Sequence, residues 1–180
     1  MKYLTIFIIA LAVLSIPVIA QDVPSTREAE VSTYLTKAQE FGENNLKQYL
    51  TADQYQTYLN NLQQISQSVD VTQLNDREDF NYNASSYYNM VQNQWNKMSS
   101  EFSKASPKIT NKVELAKVKR QYANQVANLT KDYYHDMVNG TADPISLSQY
   151  EDDFKSLKKN YTNQLGYMKG NNSSNSTRFT

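Results

Sequence analysis

Between Phe80 and Ala105 the apolar residues Phe80, Ala84, Tyr87, Val91, Trp95, Met98, Phe102 and Ala105 recur at steps of four, three, four, four, three, four and three. A mean step near 3.5 residues places them on one narrow stripe. Such a stripe is buried when helices cross at a shallow angle and interlock side chains. A strand would need alternation with a period of two, and no useful run of that kind occurs. Trp95 is therefore expected inside and Lys97 outside.

The same spacing governs the rest of the chain. Ser25-Thr26-Arg27-Glu28 has the spacing of a capping box, in which hydroxyl and carboxylate satisfy free backbone N–H groups at a helix start. Val31, Tyr34, Leu35, Ala38 and Phe41 follow on one face, and Leu46, Tyr49 and Leu50 continue it, with a break or bend expected at Gly42. A second box, Thr51-Ala52-Asp53-Gln54, opens a helix with the stripe Tyr55, Tyr58, Leu59, Leu62, Ile65 and Val69. A loop over about 70–76 separates it from the Phe80 stripe, with Asn75 or Asp76 as cap.

Pro107 ends that third helix. A fourth is expected from about Thr110 to Val138, carrying Leu115, Val118, Tyr122, Val126, Leu129, Tyr133 and Met137, and closing at Asn139-Gly140. Asp143-Pro144 starts the last as cap and first-turn proline, with Leu147, Tyr150, Phe154, Leu157, Tyr161, Leu165 and Met168 as its stripe. These features predict an all-α fold, an antiparallel bundle of about five long amphipathic helices. Residues 21–169 form the single domain, and 170–180, NNSSNSTRFT after Gly170, are expected to be a disordered tail.

Residues 1–20 read as a secretory signal peptide. Lys2 supplies the positive start, Leu4 to Ile16 the apolar run, and Val18-Ile19-Ala20 the small residues before a cut. The run is shorter than the roughly 20 apolar residues that span a bilayer, and no later stretch replaces it. Cleavage after Ala20 leaves about 160 residues, enough to bury about 70% of the unfolded surface without staples. The chain has no cysteine, although export would permit disulfides. The mature balance of 17 basic and 18 acidic residues argues against nucleic acid, because phosphate binding needs a positive excess.

Behind a signal peptide, Asn-x-Ser/Thr sequons are usable glycan acceptors. Seven occur, at Asn83, Asn128, Asn139, Asn160, Asn171, Asn172 and Asn175. Asn139 and the tail sites are expected to be the most accessible. Asn83, Asn128 and Asn160 flank the stripes, so their use depends on room beside the neighbouring helix. Asn171 and Asn172 overlap, so one sugar is expected between them.

Thirteen tyrosines remain after cleavage. Nine (Tyr34, Tyr49, Tyr55, Tyr58, Tyr87, Tyr122, Tyr133, Tyr150, Tyr161) fall on or near the stripes. Helical spacing favours a core of amphipathic rings whose hydroxyls reach the rim or each other; the sharper reading is an aromatic pocket for a small hydrophobe. Met90, Met98, Met137 and Met168 read as gap fillers. His135 lies between Asp132 and Asp136, but a zinc site needs three or four convergent ligands, so no metal or cofactor is expected. Lys108, Lys112, Lys117, Lys119 and Arg120, with Glu114 among them, read as a charged helix face. Glu151-Asp152-Asp153 complements the dipole at a helix start.

In size, signal peptide, absence of cysteine and amphipathic helices, the chain resembles the exchangeable apolipoproteins of insects, five-helix bundles that open onto lipid. The apolar faces here are narrow and Tyr-rich, however, and the polar faces are rich in Asn, Gln and Ser. LTADQYQTYL (Leu50–Leu59) resembles helix starts in small secreted helical proteins of nematodes. Catalytic triads, nucleophile elbows and phosphate loops are absent. The expectation is a non-enzymatic secreted glycoprotein that binds a protein partner; the alternative is an extracellular carrier of lipid or another small hydrophobic ligand.

Overall fold

The computed structural model describes residues 26–69, 80–139 and 144–174. Five α-helices account for nearly all of them: α1 (Thr26–Phe41), α2 (Ala52–Gln67), α3 (Phe80–Ala105), α4 (Lys112–Val138) and α5 (Pro144–Ser174). A π-helical turn, Gly42–Leu46, follows α1, and a 3₁₀ turn, Ser106–Lys108, follows α3. Among the described residues there is no strand. The signal segment 1–20, the Ser25 cap, the 70–76 loop with its caps, Gly140 and the Asp143 cap lie outside the described residues.

Each helix runs against the direction of the one before it. Tyr58 of α2 reaches back to Ala38 of α1. Tyr87 of α3 stacks on Tyr133 of α4 while Phe102 meets Tyr122, so those two helices are antiparallel. Tyr150 and Phe154 of α5 sit at the level of Tyr87, and Thr162 at the level of Met98. The result is an up-and-down bundle, with α3 packed along α5 and α2 along α4.

The stripes turn inward as their spacing requires. From Ala84 to Ala105 the α3 stripe is buried, Trp95 included, whereas Lys97 is exposed. On α2, Tyr58, Leu62 and Ile65 are buried, with Tyr55 and Leu59, and Val69 just beyond the helix, packed at the edge. On α5, Phe154, Leu157, Tyr161 and Leu165 are buried between the partly covered Leu147, Tyr150 and Met168.

The helix starts can be traced to single side chains. The Thr51 hydroxyl accepts from the Gln54 N–H at 3.2 Å, and the Gln54 side-chain Oε1 accepts from the Thr51 N–H at 3.0 Å. That reciprocal pair is the box the sequence predicts. The cap of α4 is Asn111, whose side-chain oxygen accepts from the Glu114 N–H at 3.0 Å. Pro107 sits in the 3₁₀ turn that ends α3, where its missing N–H breaks no α-helical bond.

The break or bend expected at Gly42 is a π turn, with Lys47 N–H donating to the Gly42 carbonyl at 2.9 Å. Two expectations are corrected. The apolar face of α4 is broad, with eleven of its 27 residues buried. Ala123, Ala127, Thr130, Tyr134 and Val138 form a second row, because α4 touches all four other helices and the π turn. The last helix continues past Gly170 to Ser174. A single glycine costs a helix only about 1 kcal/mol, and a Cβ at Gly170 would meet nothing within 4 Å. Residues 175–180 of the expected tail lie outside the described residues.

Candidate functional site

The tyrosine stripes close on one another. Tyr87 and Tyr133 stack with centroids 3.6 Å apart and planes 3° from parallel. Tyr134, Tyr150 and Phe154 set their edges or faces against Tyr87 at 5.8 to 6.3 Å. Half a bundle away, Tyr122 is ringed by Trp95, Phe102 and Tyr161 at 5.3 to 5.8 Å. Phe41 and Tyr49 extend this second group against Trp95. Edge-to-face and offset rings add attraction beyond burial, so the aromatic residues hold the helices together. Met98 and Met137 fill the same interior, and Met90 and Met168 flank it.

The hydroxyls follow the shape of each site. Tyr58 donates to the Ala38 carbonyl at 2.7 Å and Tyr87 to the Leu129 carbonyl at 3.0 Å. At the rim, Tyr55 donates to Glu43 at 2.6 Å and Tyr150 to Asp136 at 2.7 Å, while Tyr34 pairs with Ser85 at 2.7 Å. Three of these hydroxyls thus reach the rim, as the sequence predicts, and Tyr58 and Tyr87 instead find backbone carbonyls. The Tyr122 and Tyr134 hydroxyls find no hydrogen-bond partner among the described residues. Burial pushes the phenols of Tyr58, Tyr87, Tyr122 and Tyr134 well above their usual range. Tyr55 and Tyr150 rise through burial and through the carboxylates they bind. The Lys47 ammonium and the Tyr55 hydroxyl hold Glu43 below its ordinary value.

Outside the core, two openings run along the seam between α2 and α4. One, of about 170 Å³, is lined by Asp53, Gln54, Thr57, Tyr58 and Asn61 of α2 and by Asn124, Ala127 and Asn128 of α4. The second lies further along, between Asn61, Gln64 and Ser68 on one side and Lys131, Asp132 and His135 on the other. Most residues of both walls are polar in type, although carbon atoms make up the larger part of the exposed lining. His135 is exposed, with Nδ1 3.5 Å from Asp136 and Nε2 3.1 Å from the Asn139 amide. Among the described residues no group of three histidines, cysteines or carboxylates converges on one point, and no helix is long and apolar enough to cross a membrane.

The sequons are sorted by the fold. Asn83 is buried at 1% exposure. Asn128 and Asn160 are exposed. Asn139 is half-buried and donates to the His135 carbonyl at 2.9 Å. The side chains of Asn171 and Asn172, and all of Asn175, lie outside the described residues.

The charged runs are largely locked into local pairs. Lys155 joins Glu151 and Asp152, each at 3.2 Å, and those bonds raise its pKa. Lys117 approaches Glu114 at 3.9 Å, Lys112 donates to the Ser106 carbonyl, and Lys119 lies over the Phe102 ring at 5.8 Å. The same pole of the bundle carries two side chains that the sequence reading passed over. Val113 and Tyr167 are the large hydrophobics left exposed among the described residues, at 82% and 76%. Val113 lies nine residues before Tyr122, and Tyr167 six after its neighbour Tyr161, so both lie towards one end of the bundle. Val113, Lys117, Arg120 and Asn124 share a face of α4. Because α2 begins level with Asn124, the earlier part of that face stays in solvent. Only a contact between helices sets that boundary, and no local pattern signals it.

No family model, no curated protein and no solved structure matches the chain.

Proposed function

We propose that the protein is exported through residues 1–20 and acts outside the cell as a non-enzymatic, N-glycosylated helical bundle that binds a protein partner. The observation that carries this reading is the exposure of Val113 on α4 and Tyr167 on α5, both towards the end of the bundle that also carries Lys108, Lys112, Lys117 and Arg120. Large apolar side chains within a polar rim are the usual anatomy of a contact patch. The competing reading, a carrier of lipid or another small hydrophobe, draws on the tyrosine and methionine stripes. Those side chains pack against one another here.

The test uses the full chain recovered from its native extracellular fluid after chemical cross-linking. A defined partner should be captured with the unaltered chain and lost with the double variant Val113→Glu, Tyr167→Ser, whose helical circular dichroism should be unchanged. Capture that survives the substitution overturns the assignment to this pole. Saturable quenching of Trp95 fluorescence by a fatty acid or sterol, with organic-extractable ligand in the native material, replaces the partner reading with the carrier one.

A further inference from the structure

Resting on the export reading above, we infer that Asn128 carries an N-linked glycan whose first sugar sits in the α2/α4 cleft, and that Asn83 stays bare. Glycan transfer joins Asn Nδ2 to the anomeric carbon of a lipid-diphosphate-linked oligosaccharide. The bond from that carbon to the diphosphate oxygen breaks, the diphosphate leaves with the electron pair, and the amide loses one proton. Transfer occurs on an extended chain, so both sequons are chemically competent at that stage. Folding then distinguishes them.

Asn83 ends on the inner side of α3, next to Ala84 at 0% and with 1% of its own surface in solvent. The hydroxyl of its sequon serine, Ser85, is engaged by Tyr34 of α1 at 2.7 Å. A sugar on Nδ2 has no room in this interior and would force open the packing around Ala84 and Tyr87. Chains glycosylated there would be lost before secretion, so the secreted population is expected to be bare at this site.

Asn128 has the opposite setting. It is exposed, and its side chain forms part of the wall of the cleft of about 170 Å³. Across from it stand Asp53, Thr57 and Asn61, with Asn124 one turn away on its own helix. The side chains of Asn61, Asn124 and Asn128 make no hydrogen bond to described residues. They supply donors and acceptors suited to an acetamido sugar, whose hydroxyls and N-acetyl group need both. Tyr58 and Ala127 form a small apolar floor, against which the carbon face of a sugar ring can rest. Asn160 is equally exposed but borders neither opening, so a glycan there would extend into solvent.

The experiment expresses the full chain in a eukaryotic secretory host and removes N-glycans from the secreted protein in heavy-oxygen water, which mass-labels each formerly occupied asparagine. Label at Asn128 and none at Asn83 is the expected result. Secreted protein labelled at Asn83, or unlabelled at Asn128, overturns the inference and leaves the export reading intact. A chain that stays inside the cell, bare at every sequon, overturns both. The seat is tested separately, with the glycan trimmed to a single sugar. Amides of residues 53–61 should exchange more slowly in this form than in Asn128→Gln, and the difference should vanish in Asn61→Ala, Asn124→Ala. Equal exchange in the trimmed protein and Asn128→Gln overturns the seated sugar.

Discussion

Tyr58 and Tyr134 are both buried phenols, and their hydroxyls have opposite consequences. Tyr58 donates to a carbonyl, so Tyr58→Phe removes a made bond and leaves the ring packing in place. The expected cost is about 1 kcal/mol. Tyr134 is 1% exposed, and its hydroxyl finds no partner among the described residues. An unsatisfied buried polar group is itself destabilising by about 1–3 kcal/mol, so Tyr134→Phe should be neutral or stabilising. Urea unfolding of the two variants checks this. If Tyr134→Phe is the more damaging, a buried water or some other partner is holding its hydroxyl. Tyr134 was also the core tyrosine that the stripe analysis missed. The clue was a second row of mostly small residues, Ala123, Ala127 and Thr130, leading to it at helical spacing.

Among the elements, the junction of α1 and α2 depends on one glycine. The π turn at Gly42–Leu46 inserts an extra residue, as such turns do. Asn45 Nδ2 then donates to the Phe41 carbonyl at 3.2 Å. The Tyr58 ring lies where a Gly42 side chain would be, so a Cβ there would overlap the ring. Gly42→Ala should therefore push the two helices apart or rotate the ring, costing about 1–3 kcal/mol by overpacking. Substituting Gly170 in the same way should not destabilise, because a Cβ there would meet nothing within 4 Å. Thermal melts of the two alanine variants give the comparison, and equal midpoints would refute the role assigned to Gly42. A break at Gly42 was legible in the sequence. Its π geometry was not, because it depends on a ring sixteen residues further along the chain.

For the whole molecule, the buried tyrosines set the alkaline limit of stability. Tyr58, Tyr87, Tyr122 and Tyr134 have phenols raised by burial. Unfolded phenols lose their proton near pH ~10, whereas the folded ones hold it to higher pH. Their contribution is thus fully present below pH ~10 and declines as pH rises through the folded values. Each such group weakens folding by up to about 1.4 kcal/mol per pH unit in that window, and total stability is only about 5–15 kcal/mol. Titration should therefore show the phenolate absorbance of these four rising together with loss of helical circular dichroism. Complete ionisation of tyrosine with the helices intact would contradict their burial.

The sequence by itself determined the helices, their inward faces and most of their ends, because periodicity and caps are local properties. A box at Thr51 needs only Gln54, and a stripe needs only its own spacing. Tertiary structure decided whatever depends on which helix lies beside which. The central position of α4 made its buried face broad, and the closeness of Tyr58 made Gly42 indispensable. The point where α2 begins left Val113 in water and placed Asn128 on a cleft, while the packing around Asn83 buried a sequon that reads like the others. Local patterns record what a residue can do; only distances between helices separate a buried asparagine from an exposed one.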